Sequence, residues 1–120
     1  MYNTIDAGAT GVESGIYYDV DMYNGVCLGN LITNFDSIGK FGIVIDAGEY
    51  QTSSFFGYNA FYNNNTNTSN YTGVDDVILS ENPYTTAGSD WSLNNVTGGG
   101  ADCRNAGFNK VGLIDSPILG

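Results

Sequence analysis

The stretch Gly15-Ile16-Tyr17-Tyr18-Asp19 returns as Gly42-Ile43-Val44-Ile45-Asp46, 27 residues further along the chain. A second motif keeps this spacing, because Asn3-Thr4-Ile5-Asp6 returns as Asn30-Leu31-Ile32-Thr33. It returns once more as Asn59-Ala60-Phe61-Tyr62, after a further 29 residues. Two separate motifs with one spacing indicate an internal repeat. A repeat is the first signal to consider, because it decides the class of fold.

Apolar and polar residues alternate inside each repeat, as in Ile16 and Tyr18 against Tyr17 and Asp19. Alternation with period two indicates short strands that bury one face. Short strands joined by turns rich in Gly and Asn predict coils that stack about 4.8 Å apart and form parallel sheets. The sequence therefore predicts an all-β solenoid.

The Asn-x-Ile turn followed by a Gly-Ile strand resembles the right-handed parallel β-helix, or pectin-lyase-like, superfamily from Asn3 to about Asn64. The tail from Asp76 to Phe108 is similar to the closing segment of secreted bacterial and phage tail-fibre β-helix proteins. The resemblance implies a right-handed parallel β-helix of about three coils with a C-terminal cap. Residues 1–75 would form the coils, with an Asn/Thr-rich loop at 63–72, and residues 76–120 the terminal strand and cap.

Stacking of like residues predicts an inward column of Asn3, Asn30 and Asn59, in which each side-chain amide bonds its neighbour. We expect Asn30 to be the costliest of the three to replace, since it has a neighbour on both sides. The N-terminal end of such a stack exposes unpaired backbone groups. The predicted partner at that end is a second copy, which makes an oligomer, or an upstream β-helix segment.

Charge excludes several functions. Thirteen acidic residues against three basic ones give a net charge of -10, and the chain has no His. Nucleic acid and anionic membranes need clustered cations, so neither is an expected partner. The absence of His removes the commonest general base and zinc ligand.

The resembled superfamily includes polysaccharide lyases and glycoside hydrolases, so the enzyme hypothesis was tested against the residues. The lyases use a strand-borne Arg or Lys, whereas this chain offers Lys40 in a turn, Arg104 in the presumed cap and Lys110 beyond it. The Gly-His-Gly and Arg-Ile-Lys segments of the hydrolases are absent from the sequence. No catalytic residue is assigned, and the balance favours a protein that is not an enzyme.

Two candidate binding sets remain. Asp19 and Asp46 occupy equivalent positions of the repeat, with Asp21 nearby, and predict either a weak calcium site or a solvated acidic face. No other cofactor is expected. Exposed aromatic rings beside Asn and Thr suit sugar rings, although at least half of the aromatic residues are expected in the core. The candidate glycan-binding residues are Tyr17, Tyr23, Tyr50 and Tyr71.

Cys27 and Cys103 lie far apart in the sequence and form no CxxC motif. They predict either two small buried residues or a single long-range disulfide.

The leading functional hypothesis is a non-catalytic structural or adhesive β-helix module, exposed at a cell or virion surface and able to bind carbohydrate. The alternative is a fragment of a polysaccharide lyase or glycoside hydrolase.

Overall fold

The computed structural model of the chain describes residues 3–8, 13–19, 22–23, 25–46, 51–52, 54–71 and 73–106. Within them lie thirteen short strands and one helix: β1 (Thr4–Asp6), β2 (Ser14–Tyr18), β3 (Met22–Tyr23), β4 (Val26–Leu28), β5 (Leu31–Thr33), β6 (Phe41–Ile45), β7 (Gln51–Thr52), β8 (Phe55–Gly57), β9 (Ala60–Tyr62), β10 (Thr66–Ser69), β11 (Val77–Ile78), β12 (Tyr84–Thr86), β13 (Asp90–Leu93) and α1 (Gly100–Ala106). Among these residues no helix is long and apolar enough to cross a membrane.

The strands form five separate small sheets. One has four strands in the order β1-β5-β9-β11, a second has three in the order β10-β6-β2, and the pairs β3-β7, β4-β8 and β12-β13 make the others. All pairings are parallel except that of β12 with β13, which is antiparallel. Parallel partners lie one sequence repeat apart in every pairing except that of β11 with β9, so Ile5 lies beside Ile32 and Ile32 beside Phe61.

The prediction of a right-handed parallel β-helix of about three coils with a C-terminal cap is wrong. The described strands lie in several small, separate parallel and antiparallel sheets, and no solenoid is found in this part of the chain. The physical reason is that the repeat does not continue beyond β10, which still pairs with β6. Strand β11 follows β9 by only 17 residues, and the chain then turns to a hairpin and a helix.

The polar run at residues 63–72 also differs from expectation. It was predicted to be a loop, yet Thr66–Ser69 forms β10, which pairs with β6. Asn64 supports the entry to this strand, because its side chain accepts from the Phe35 N–H and donates to the Ile32 carbonyl. Side-chain amides therefore replace the apolar contacts that a strand usually needs.

Two apolar clusters lie on opposite faces of the four-stranded sheet. Neighbouring residues of β5 divide between them, since Ile32 belongs to the first cluster and Leu31 to the second. This division follows from the alternation of side chains along a strand. The first cluster contains Cys27, Ile32, Phe35, Ile43, Ile45, Phe56 and Phe61. The second contains Leu31, Ala60, Leu79 and Tyr84, and Leu93 and Cys103 from the C-terminal region pack on it.

The repeated Gly of the Gly-Ile motif has a packing reason. A Cβ atom on Gly15 would lie 2.8 Å from the Gly42 carbonyl oxygen, and one on Gly42 would lie 2.6 Å from the Asn67 carbonyl oxygen and 3.1 Å from the Phe61 ring. Real Cβ atoms do not approach backbone atoms this closely. Gly15 therefore lets β2 pack closely against β6 and the Ile32 side chain, and Gly42 lets β6 pack closely against β10 and Phe61.

Replacing Gly42 with Ala is expected to lower the free energy of unfolding by about 1–3 kcal/mol, because the buried methyl group overpacks the contact with Asn67 and Phe61. Urea unfolding followed by circular dichroism measures the change. The control is Ser37→Ala on the exposed turn before β6, which should stay within about 0.5 kcal/mol of the parent. Equal stabilities for Gly42→Ala and the control would contradict this close packing.

Candidate functional site

A ladder of asparagine side chains crosses the molecule beside the first apolar cluster. Asn3 Nδ2 donates to Asn30 Oδ1 at 3.0 Å, and Asn30 Nδ2 donates to Asn59 Oδ1 at 2.9 Å. The structure thus brings together the three residues that the repeat aligned. Asn30 and Asn59 are buried, at 4% and 0% exposure, whereas Asn3 is exposed.

Asn59 is not the end of this ladder. Its side chain donates to the Tyr71 hydroxyl at 2.9 Å and to Asp76 Oδ1 at 3.3 Å, and its backbone N–H donates to the same Asp76 oxygen at 2.8 Å. Burial, followed by the charge of Asp76, raises the pKa of Tyr71. The expectation that Asn30 is the costliest of the three to replace rests on a single neighbour for Asn59. In the structure Asn59 has hydrogen-bond partners on both sides, so this basis for the ranking does not hold.

A second ladder, which the sequence reasoning missed, runs along the other end of the four-stranded sheet. Asn63 Nδ2 donates to Asn34 Oδ1 at 3.0 Å, and Asn34 Nδ2 donates to the Asp6 carboxylate. Both Asn residues adopt positive φ, 66° for Asn34 and 52° for Asn63, a region that Asn tolerates better than most residues. The spacing of 29 residues between them was the available signal.

The described members of the predicted acidic set are Asp19 and Asp46. Asp19 and Asp46 follow directly after β2 and β6, both are exposed, and Asp46 Oδ2 accepts a hydrogen bond from the Tyr17 hydroxyl at 3.0 Å. Asp21 lies outside the described residues. Within the ranges that the structure describes, no group of three or more His, Cys, Asp or Glu side chains could hold a metal ion. Calcium binding stays a prediction from the sequence.

The four tyrosines predicted to bind glycans have different environments. Tyr17 is 53% exposed, whereas Tyr71 is half-buried with its ring 5.4 Å from that of Phe56 in an edge-on contact. Tyr71 therefore serves the core and the first ladder. Tyr23 lies in β3, and Tyr50 lies outside the described residues.

A cleft of about 280 Å³ lies between the four-stranded sheet and the C-terminal hairpin and helix. Its aliphatic lining comes from Leu31, Ala60 and Leu93, and the Trp91 and Tyr58 rings also line it. The other lining residues are Asn3, Thr4, Gly29, Asn30, Cys103 and Arg104. None of these lining residues is a carboxylate.

Tyr84 supports Trp91, which lines this cleft. The Trp91 ring lies 4.8 Å from that of Tyr84, at 84°, while 45% of the side chain stays exposed. Tyr84 is buried and shares a hydrogen bond of 2.9 Å between its hydroxyl and Thr33 Oγ1. The four-stranded sheet thereby positions an aromatic ring that the sequence reasoning did not single out.

Arg104 supplies the positive charge of the cleft. One guanidinium nitrogen donates to the Leu93 carbonyl at 3.0 Å and another donates to Asn95 Oδ1 at 2.6 Å, which fixes the side chain across the hairpin and helix. A guanidinium has five N–H donors, so further donors remain for a ligand. Arg104 and Trp91 together give the cleft a flat apolar wall and a cationic rim.

The two cysteines are free thiols in different places. Cys27 is buried in the first cluster, where its sulfur accepts a weak hydrogen bond from Asn30 Nδ2 at 3.4 Å, and Cys103 is half-buried in the cleft. Burial raises the pKa of both thiols, and the nearby Arg104 charge partly opposes this for Cys103. The expected disulfide is not formed in this structure, and the expectation of small buried residues holds for Cys27 but not for the half-buried Cys103.

Comparison of the chain with protein-family models, with curated proteins and with solved structures finds no match. The pectin-lyase-like resemblance stays a prediction, and the function has to be inferred from the residues themselves.

We expect Asn59→Ala to cost about 1–3 kcal/mol of unfolding free energy, since it leaves the donors of Asn30 buried without an acceptor. Asn30→Ala should cost somewhat less, because its partner Asn3 can turn to water. Asn3→Ala is the matched control at the exposed end, with an expected loss below about 0.5 kcal/mol. Melting temperatures and urea titrations rank the three, and equal losses at all three positions would show that the ladder does not stabilise the core.

Alkaline pH should destabilise the protein. Burial raises the pKa of Tyr84 and of Tyr18 to about 12, from an ordinary value of 10.0. The folded state therefore favours the neutral phenols, and this contribution is complete below pH 10 and lost as the pH rises towards about 12. Urea unfolding at about pH 8 and about pH 11 should give a smaller decrease for Tyr84→Phe than for the parent. Identical decreases would mean that Tyr84 ionises as easily in the folded as in the unfolded chain.

Proposed function

We propose that this chain is a non-catalytic structural or adhesive module that binds glycans in the cleft beside Trp91. Its place of action in this proposal is a cell or virion surface. The observation that carries the proposal is the exposed Trp91 ring, which packs edge-on against Tyr84 and lines the cleft together with Leu31, Ala60 and Leu93. Sugar rings have apolar faces that stack on such rings and hydroxyls that need donors at their edges.

The polar groups around the cleft complete this pattern. Arg104 can donate to sugar hydroxyls or to the carboxylate of an acidic sugar from an arm that the hairpin already holds. A ligand would then lose little affinity to ordering of the site, because Trp91 and Arg104 both have fixed supports. The acidic surface elsewhere on the chain makes this cationic rim a local exception.

Binding without cleavage is favoured by the chemistry of the cleft. Glycoside hydrolysis normally needs a pair of carboxylates on either side of the bond that breaks. The described residues that line the cleft include no carboxylate, and its thiol has a raised pKa. Asp6 lies with Thr4 and Trp91 in an adjoining hollow, where it already accepts hydrogen bonds from Gly8, Thr33 and Asn34.

The proposal predicts that Trp91→Ala weakens glycan binding by about tenfold, the loss expected for one aromatic stacking contact. A panel of neutral and uronic-acid oligosaccharides, screened on an array and then titrated by calorimetry, identifies the ligand and measures its affinity. Tyr17→Ala is the matched control, because Tyr17 is an exposed aromatic residue that does not line the cleft. It should bind as the parent does.

Three results would contradict the proposal. The first is no binding to any member of the panel, and the second is a loss of binding in Tyr17→Ala but not in Trp91→Ala. The third is steady release of new reducing ends or unsaturated products from the panel, which would favour the lyase or hydrolase alternative.

A further inference from the structure

The first asparagine ladder has a direction. The side-chain amide of Asn3 donates to Asn30, that of Asn30 to Asn59 and that of Asn59 to Asp76, so the hydrogen bonds of the ladder all run from β1 towards β11. A carboxylate is a suitable end for such a series because it only accepts hydrogen bonds. At the other end the series leaves the Oδ1 acceptor of Asn3, to which none of the described residues donates a hydrogen bond.

Two of the three acceptors in this ladder receive two N–H groups from the segment before them, whereas Asn30 Oδ1 receives the side-chain amide of Asn3. Asn59 Oδ1 accepts from the backbone N–H of Asn30 at 3.0 Å and from its side-chain amide at 2.9 Å. Asp76 Oδ1 accepts from the same two groups of Asn59 at 2.8 and 3.3 Å. The partner of such an acceptor is therefore an Asn on the neighbouring segment, which donates both its backbone N–H and its side-chain amide.

The second ladder leaves acceptors at the same edge. Its donors run from Asn63 to Asn34 and end on the Asp6 carboxylate, three residues after Asn3 on β1. The two ladders run in opposite directions: the first begins at Asn3 on β1 and ends on Asp76, and the second ends on Asp6 on β1. The β1 strand therefore carries two side-chain acceptors, Asn3 Oδ1 and the Asp6 carboxylate, of which Asp6 already accepts from Gly8, Thr33 and Asn34.

The backbone of β1 is also open on this side. β1 pairs with β5, and none of the other described strands pairs with it. The Asn3 carbonyl and the Ala7 N–H bond to β5, so the alternation of a parallel ladder turns the backbone groups of Thr4 and Asp6 the other way. Ile5, between them, is only half-buried on the first cluster.

We infer that the β1 edge binds an extended polypeptide segment that runs parallel to β1 and carries Asn opposite Asn3. An aliphatic residue two positions later would cover Ile5, as Ile32 does from the other side. This bound segment has the pattern Asn-x-aliphatic, and it adds a strand to the edge of the sheet by β-augmentation.

Within the described residues, neither edge of the four-stranded sheet in a second copy offers an Asn side-chain donor to Asn3. The β1 edge of another copy presents the same acceptors, and acceptors opposite one another leave both unsatisfied. The β11 edge of another copy presents Asp76, which is again an acceptor. The geometry therefore favours a different segment over self-association.

The test uses the whole protein and a labelled synthetic peptide with the sequence of residues 28–35, which contains Asn30-Leu31-Ile32. Fluorescence anisotropy at neutral pH measures binding. A peptide with Asn30→Asp, whose side chain cannot donate, should bind at least about tenfold more weakly. The charge control is the original peptide with one added C-terminal Asp, which should bind as the original does.

Two variants of the protein locate the binding. Thr4→Pro removes an outward N–H without touching the bonds to β5 and should reduce peptide affinity at least about tenfold, with folding checked by circular dichroism. Thr4→Ala keeps the N–H and should bind like the parent. The inference is overturned if the peptide does not bind at about 1 mM, if the Asp peptide binds equally well, if Thr4→Pro binds normally, or if sedimentation shows that the protein alone dimerises in a way Thr4→Pro abolishes.

Discussion

The buried hydrogen bond between Asn30 and Asn59 is the constraint on which the rest of this structure depends. Two amides lie beside an apolar cluster where water does not reach them, so each donor and acceptor needs a partner inside the protein. The partners are available only when β5 lies beside β9 in one register. A shift of one residue would leave the amides unsatisfied and would also exchange the two faces of the sheet.

The same constraint connects the two apolar clusters to the cleft. With the register of β5 and β9 fixed, Ile32 and Phe61 face the first cluster, while Leu31 and Ala60 face the second. The hairpin and helix pack on that second face and bring Trp91 and Arg104 over it. The cleft is therefore a consequence of how the outer face of the sheet is covered. No residue of the repeat would indicate this by itself.

The repeat in the sequence accounts for part of the structure. It aligns Asn30 with Asn59 and Gly15 with Gly42, because residues one repeat apart become neighbours in parallel strands. It does not extend to Asp76, which replaces Asn at a shorter spacing and ends the ladder. This break in the period is the local reason why the predicted solenoid is not found in the described residues.

Other features could not have been predicted from local patterns. Strand β10 is a polar stretch whose pairing depends on β6, distant in the sequence, and on the amide of Asn64. The positions of Trp91 and Arg104 depend on contacts with Tyr84 and Asn95, which only the folded chain brings about. Sequence reasoning therefore selected aromatic residues by exposure on strands and missed the ring that the fold orients.

A double-mutant cycle on Asn30 and Asn59 tests the central claim most directly. Urea unfolding of the parent, both Ala single variants and the double variant gives the coupling free energy between the two side chains. We predict a coupling of about 1 kcal/mol or more, because the second substitution removes donors that the first has already left without an acceptor. Additive losses, with a coupling below about 0.3 kcal/mol, would contradict the claim that this buried amide contact sets the register of the sheet.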